Sequence, residues 1–175
     1  MKKELSAVLI ALLCLAAMFL TSCGSEREDY IRIHIRANSN EGYDQAVKLD
    51  VRDAVIKYIA PLAAAAKNKK EMMALLNENI EGIQAKADNV LIGNGFDYDA
   101  AVTLERENFP EKTYGDLTLE AGRYDALIIM LGSGEGDNWW CVAFPPLCFI
   151  PAEDNGTDQV VYKSKIAEWL DKLGA

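Results

Sequence analysis

His34 is the lone histidine of the chain, so any serine or cysteine nucleophile activated by an imidazole must use it. The thiols that matter are Cys141 and Cys148, which fall within Asn138-Trp139-Trp140-Cys141-Val142-Ala143-Phe144-Pro145-Pro146-Leu147-Cys148. Outside the cytoplasm such a pair oxidises to a disulfide, and a nucleophilic Cys141 would have to escape Cys148. A Cys141–Cys148 disulfide is therefore expected, with a hydrolase built on His34 and Cys141 as the alternative. Two cysteines and one distant histidine do not make a four-ligand zinc site, so no metal or other cofactor is expected. Asp97 with Asp99 and Glu105 with Glu107 have the strand spacing that places two carboxylates side by side, as a glycosidase-like site would need. Nothing in their surroundings separates their acidities, so they read as a solvated face. The Gly132-Gly134-Gly136 spacing lacks the Lys-Ser/Thr of a phosphate loop and carries Glu135 and Asp137, which would repel phosphate. It is expected to be a hairpin loop that uses positive φ.

The compartment follows from the N-terminus. Lys2 and Lys3 precede an apolar run from Leu5 to Leu20, which ends at Leu20-Thr21-Ser22-Cys23. That run is shorter than the roughly 20 residues of a stable membrane-spanning helix, so residues 1–22 read as an export signal. The Leu-Thr-Ser-Cys ending fits a lipoprotein box, in which Cys23 receives the lipid and forms a membrane anchor; a plain signal peptide or an uncleaved anchor is the other reading. Residues 23–29 then form a tether, and its polar part from Gly24 reaches at most about 20 Å. Residues 30–175 are expected to fold as one domain. Without residues 1–22 the chain keeps 16 basic against 26 acidic residues. An excess of about ten negative charges argues against nucleic acid, and no small-molecule substrate is expected.

The elements that must position these residues are legible from periodicity. Ile31, Ile33, Ile35 and Ala37 alternate with Arg32, His34 and Arg36, as in a half-buried strand with a polar face. After Ala37-Asn38-Ser39-Asn40-Glu41-Gly42, residues Val47, Val51, Val55, Tyr58 and Leu62 recur at helical spacing from about Tyr43, with Pro61 expected to kink or end the helix unless the alanine run to Ala66 continues it. Asn68 with Glu71 resembles a capping box ahead of a second helix carrying Met72, Leu76, Ile80, Ile83 and Ala87. Phe96–Arg106, Arg123–Leu131 and Trp139–Phe144 read as strands, the second apolar enough to be covered on both faces. The stretch from Phe109 to Leu119 is too long for a tight turn and rich enough in aromatics to pack over something. Residues 160–173 read as a closing helix. The sum is an α+β fold, a mainly antiparallel sheet of about four strands with two N-terminal helices and one C-terminal helix packed on it.

Alternation along the last strand sends Trp139 and Trp140 to opposite sides, one inward and one outward. An outward tryptophan beside the Phe144-Pro145-Pro146 turn suits protein recognition better than catalysis. Lys112-Thr113-Tyr114-Gly115-Asp116-Leu117-Thr118-Leu119, Ala121-Gly122, Tyr124, Ala126-Leu127 and the segment from Gly132 to Phe149 together resemble stage II sporulation protein R of endospore-forming bacteria. His34-Ile35-Arg36-Ala37-Asn38-Ser39, Asp44-Gln45, Lys48-Leu49 and Val51-Arg52-Asp53-Ala54-Val55 match that family's N-terminal signature. The resemblance implies a non-enzymatic signalling protein, exported from the forespore into the space between the two sporulation membranes. There it would activate a membrane-embedded aspartic protease that processes pro-sigma-E in the mother cell. The expected contact surface is Trp139, Trp140, Phe144, Pro145 and Pro146 together with His34, Asn38 and Ser39. The lipoprotein box is a departure from the family pattern.

Overall fold

Ile31, Ile33 and Ile35 are fully buried on one side of the first strand, and this alternation seats the sheet on its helices. The computed structural model describes residues 29–115 and 117–147. Strand β1 (Ile31–Arg36) leads into helices α1 (Gly42–Ala65), α2 (Lys69–Glu78) and α3 (Ile80–Gly93). Strands β2 (Ala100–Phe109), β3 (Lys112–Tyr114), β4 (Leu117–Leu119), β5 (Gly122–Leu131) and β6 (Asn138–Phe144) follow. The main sheet has the order β2-β5-β1-β6, with β1 parallel to β5 and the other neighbours antiparallel. The α+β expectation holds, with one parallel pair inside a mostly antiparallel sheet.

One face of the sheet carries the helices. Val47, Val51, Val55 and Ile59 of α1, Met72 and Leu76 of α2, and Ile83, Ala87 and Leu91 of α3 close over Ile33, Ile35, Val102, Leu127 and Ile129. Asn68 caps α2 as expected, its side chain accepting from Glu71 N at 2.9 Å while Glu71 Oε2 accepts from Lys67 N at 2.9 Å. Helix α1 does not stop at Pro61 but runs to Ala65. Proline removes one ladder bond there, and its ring lies on the exposed side of a helix whose other side is held by Ile59 and Ala63. The second expected helix is divided at Asn79, whose side chain donates to Leu75 O at 2.8 Å and whose backbone leaves helical geometry.

Two further expectations need correction. The glycine-rich segment is not a hairpin turn, because β1 lies between β5 and β6 and the loop must pass the end of β1. Positive φ is used at Gly132 (55°) and Gly134 (66°). The polar side of β1 is not solvated: Arg32 is 0% and His34 6% exposed. Residues 112–119 supply part of the cover as a β3–β4 hairpin, and Leu119 packs with Val142 and Leu147. The export signal, Cys23, Cys148 and the expected helix at 160–173 lie outside the described residues.

Candidate functional site on the outer sheet face

The outer face is built by the residues that alternate with the core: Arg32, His34 and Arg36 on β1, and Trp140 and Asn138 opposite His34 and Arg36 on β6. Arg32 sits among three rings, its guanidinium carbon 4.5 Å from the centroid of Phe109, 5.1 Å from Tyr124 and 5.6 Å from Tyr114. It donates from Nη2 to Tyr114 Oη at 2.9 Å and from Nε to Cys141 O at 3.3 Å. His34 is clamped from both sides, with Nδ1 2.6 Å from Glu107 Oε2 and Nε2 2.8 Å from the Asn138 side-chain oxygen. Its ring stacks on Trp140 at 5.5 Å and meets the edge of Phe109 at 5.8 Å. Arg36 pairs with the other oxygen of Glu107. Beyond this row the face stays open as a groove of about 250 Å³, floored by Ile128 and Met130 and rimmed by Arg36, Thr103, Glu105 and Glu107.

A carboxylate on Nδ1 is how a catalytic imidazole is oriented, so the His34–Glu107 pair merits a chemical test. The arrangement lacks the remaining parts. Among the described residues no hydroxyl or thiol bonds to His34. Cys141 pairs opposite Ile33, which places its side chain with the core and away from His34. This overturns a Cys141–His34 nucleophile. Glu107, one half of an acidic pair that reads as solvated, is instead occupied by His34 and Arg36, whereas Asp97, Asp99 and Glu105 are exposed.

The tryptophans divide as alternation requires, yet neither projects freely. Trp139 packs on the main core with Arg52 5.7 Å from its ring, and Trp140 covers His34 with Lys112 Nζ 4.5 Å from its own. The residues expected to form one contact surface are only partly brought together. His34 and Trp140 touch; Phe144 lies opposite Ile31 at the start of β1, and Asn38 and Ser39 follow its far end, about 20 Å away along the strand. Pro146 is exposed, Pro145 half-buried, and the Phe144–Pro145 peptide is cis. Cys141 is 3% exposed.

Asn38 and Ser39 are occupied within the fold. Ser39 Oγ donates to Asp44 at 2.5 Å and Asn38 Nδ2 at 3.0 Å, while Tyr98 Oη reaches the same carboxylate at 2.5 Å. Burial pushes the Asp44 carboxyl up, but the bonds from Ser39, Tyr98 and Asn38 outweigh it and hold the group below its ordinary value. Asn38 Oδ1 also accepts from Ser133 N at 2.9 Å, and Lys48 Nζ donates to Asp137 O at 2.9 Å. The turn after β1 is thereby fastened to the β5–β6 loop. Gly136 belongs to this junction because a Cβ there would collide with the Ser39 carbonyl. Gly136→Ala is expected to cost about 1–3 kcal/mol, read as a lower denaturant midpoint at unchanged slope. Sequence reasoning missed Tyr98, the role of Asp44 as a shared acceptor, the engagement of Glu107 by His34 and Arg36, and the caging of Arg32. The one local signal was a carboxylate in the first helical turn just past Asn38-Ser39, where side chains bond to nearby backbone and to one another.

Residues 27–154 match the family model described as stage II sporulation protein R. Stage II sporulation protein R of Bacillus subtilis (strain 168) is 38% identical over 120 residues, which cover 69% of this chain and 54% of that protein. The chain thus spans about half the length of the curated relative it matches. No solved structure matches. With the matched region containing β1, the Asp44 junction, the hairpin and β6, the chain belongs to the stage II sporulation protein R family.

Proposed function

We propose that this chain is an exported signal of sporulation that activates a membrane-embedded aspartic protease processing pro-sigma-E in the mother cell. The observation that carries the reading is the family match across residues 27–154, which includes every element of the main sheet. The site geometry agrees with it, since His34 is held by Glu107 and Asn138 under Trp140 while Cys141 faces the core. The protein acts in this reading as a shaped ligand and performs no chemistry. Cys141 pairs with Cys148 to fix the Phe144-Pro145-Pro146 turn. Lipid on Cys23 holds the domain at the outer face of the forespore membrane, in the space between the two membranes.

Co-expression of the exported chain with the protease and pro-sigma-E in a non-sporulating bacterium tests the activity. Immunoblotting should show the shortened sigma factor only when the chain is exported; a folded, exported chain that leaves the precursor intact would overturn the proposal. Anchoring has a separate readout. Cys23→Ala with export preserved should move the protein from the membrane fraction to the soluble one, and unchanged fractionation would refute the lipid.

A further inference from the structure

Tyr43 (62% exposed) and Ile92 (66%) are among the few large hydrophobic side chains left open to water on the described residues. Tyr43 starts α1, with its ring 6.0 Å from Phe96, and Phe96 lies 5.1 Å from Tyr98; Ile92 is in the last turn of α3, just before Phe96. We propose that this aromatic pole, at the end of the domain where β1 finishes, docks a protein segment rich in lysine and arginine that carries an apolar side chain. The proposal rests on the reading above, that the domain works by contacting another protein, and it names the contact.

The choice of occupant comes from charge. Three segments meet at the pole: Gly132 N donates to Asp99 O at 3.0 Å, Gly136 N to Ala37 O at 2.8 Å, and Asp137 N to Asn40 Oδ1 at 2.6 Å. Glu41, Asp97, Asp99, Glu135 and Asp137 are all exposed there. No lysine or arginine occurs in residues 37–47, 92–105 or 131–138. Of the cations beside the pole, Arg36 at the end of β1 is paired with Glu107, and Lys48 is 5% exposed and spends its ammonium on Gln45 and on the backbone of Asp137. An exposed apolar centre ringed by carboxylates repels anionic lipid and nucleic acid, and it complements a basic segment with an apolar anchor. The bonds across the three segments fix this surface before binding, so little ordering is lost on contact.

Position supports the same occupant. Chain preceding residue 29 enters at the start of β1, and the strand's six residues carry the fold about 20 Å before the pole begins. A domain tethered through its N-terminus therefore presents this end away from its own membrane, toward a partner in the facing one.

The test uses the exported chain with the protease and pro-sigma-E, reading both the processing rate and co-purification with detergent-solubilised protease. Asp97→Lys with Glu135→Lys should reduce both by roughly tenfold or more, since like charges at an interface are strongly unfavourable. Tyr43→Ser should reduce both at unchanged salt dependence, while wild-type binding should weaken as salt rises. Asp50→Lys with Asp53→Lys, on the solvent side of α1, changes net charge equally and should leave both readouts at the wild-type level. Equal loss from the two pairs of reversals would overturn the inference, as would full activity of the pole variants. Denaturant midpoints identify a variant that fails by unfolding, and Asp97→Asn with Glu135→Gln then decides the matter through a smaller loss in binding. No processing with the wild-type chain would sink the activator reading and this surface with it, an outcome distinct from selective failure of the pole.

Discussion

Asp44→Ala should destabilise the domain by about 3–5 kcal/mol, a large part of the total stability expected for a domain of this size. The carboxylate is fully buried and accepts from Ser39, Asn38 and Tyr98, which belong to the turn after β1 and to the segment before β2. Alanine leaves three donors with no acceptor in a place water reaches poorly, and each such loss costs about 1–3 kcal/mol. Tyr98→Phe removes one donor and keeps the carboxylate, so its cost should be nearer about 1 kcal/mol. The pH dependence has a definite sign. Because hydrogen bonds hold the folded pKa of Asp44 below its ordinary value of 3.8, its contribution is present above that pH and is lost as pH falls through the folded value. Urea titrations between neutral pH and pH 3 should show the wild type losing more stability on acidification than Asp44→Ala. Parallel curves would mean that the buried carboxylate does not drive the difference.

How far the sequence reveals this arrangement depends on the distance over which each feature is decided. The apolar spacing of Val47, Val51 and Val55, the Asn68–Glu71 cap and the continuous apolar run of β5 are local, and each appears where periodicity places it. The division of the second helix at Asn79 escapes the same reasoning because Met72, Leu76, Ile80 and Ile83 keep helical spacing straight across it. Strand order is a non-local fact. Arg123–Leu131 and Trp139–Phe144 look like consecutive hairpin arms, yet β1, about a hundred residues earlier, inserts between them and makes the parallel pair. Burial of the outer face is hidden for the same reason. Arg32 and His34 alternate with isoleucines as solvated residues do, and what covers them, Tyr114, Glu107 and Asn138, lies 82, 73 and 104 positions from its partner. Trp140 illustrates both limits: alternation correctly sets it opposite Trp139, but only the hairpin that brings Lys112 over its ring explains why it is half-buried.

Arg32→Ala is expected to cost about 3 kcal/mol, and the comparison with Arg32→Met tells which property of the side chain is responsible. The arginine is fully buried among Phe109, Tyr114 and Tyr124, and its Nη2 bond to Tyr114 fastens the β3–β4 hairpin to β1. It forms no ion pair among the described residues, and its Nη1 is buried without a hydrogen-bond partner. A guanidinium in that position carries a large desolvation cost that ring contacts of about 0.5–2 kcal/mol offset only in part. Methionine fills much of the same volume with nothing to desolvate, so Arg32→Met should stay within about 1 kcal/mol of wild type. The hairpin should respond differently from the global stability. Without the Tyr114 bond, amide exchange across Lys112–Leu119 should accelerate in both variants while the β1 and β5 amides remain protected in Arg32→Met. If methionine proves as damaging as alanine, the positive charge among the three rings holds this face together, and packing volume does not. Retained hairpin protection in Arg32→Ala would instead place the hold on Leu119, Val142 and Leu147, which pack the same hairpin from its other strand.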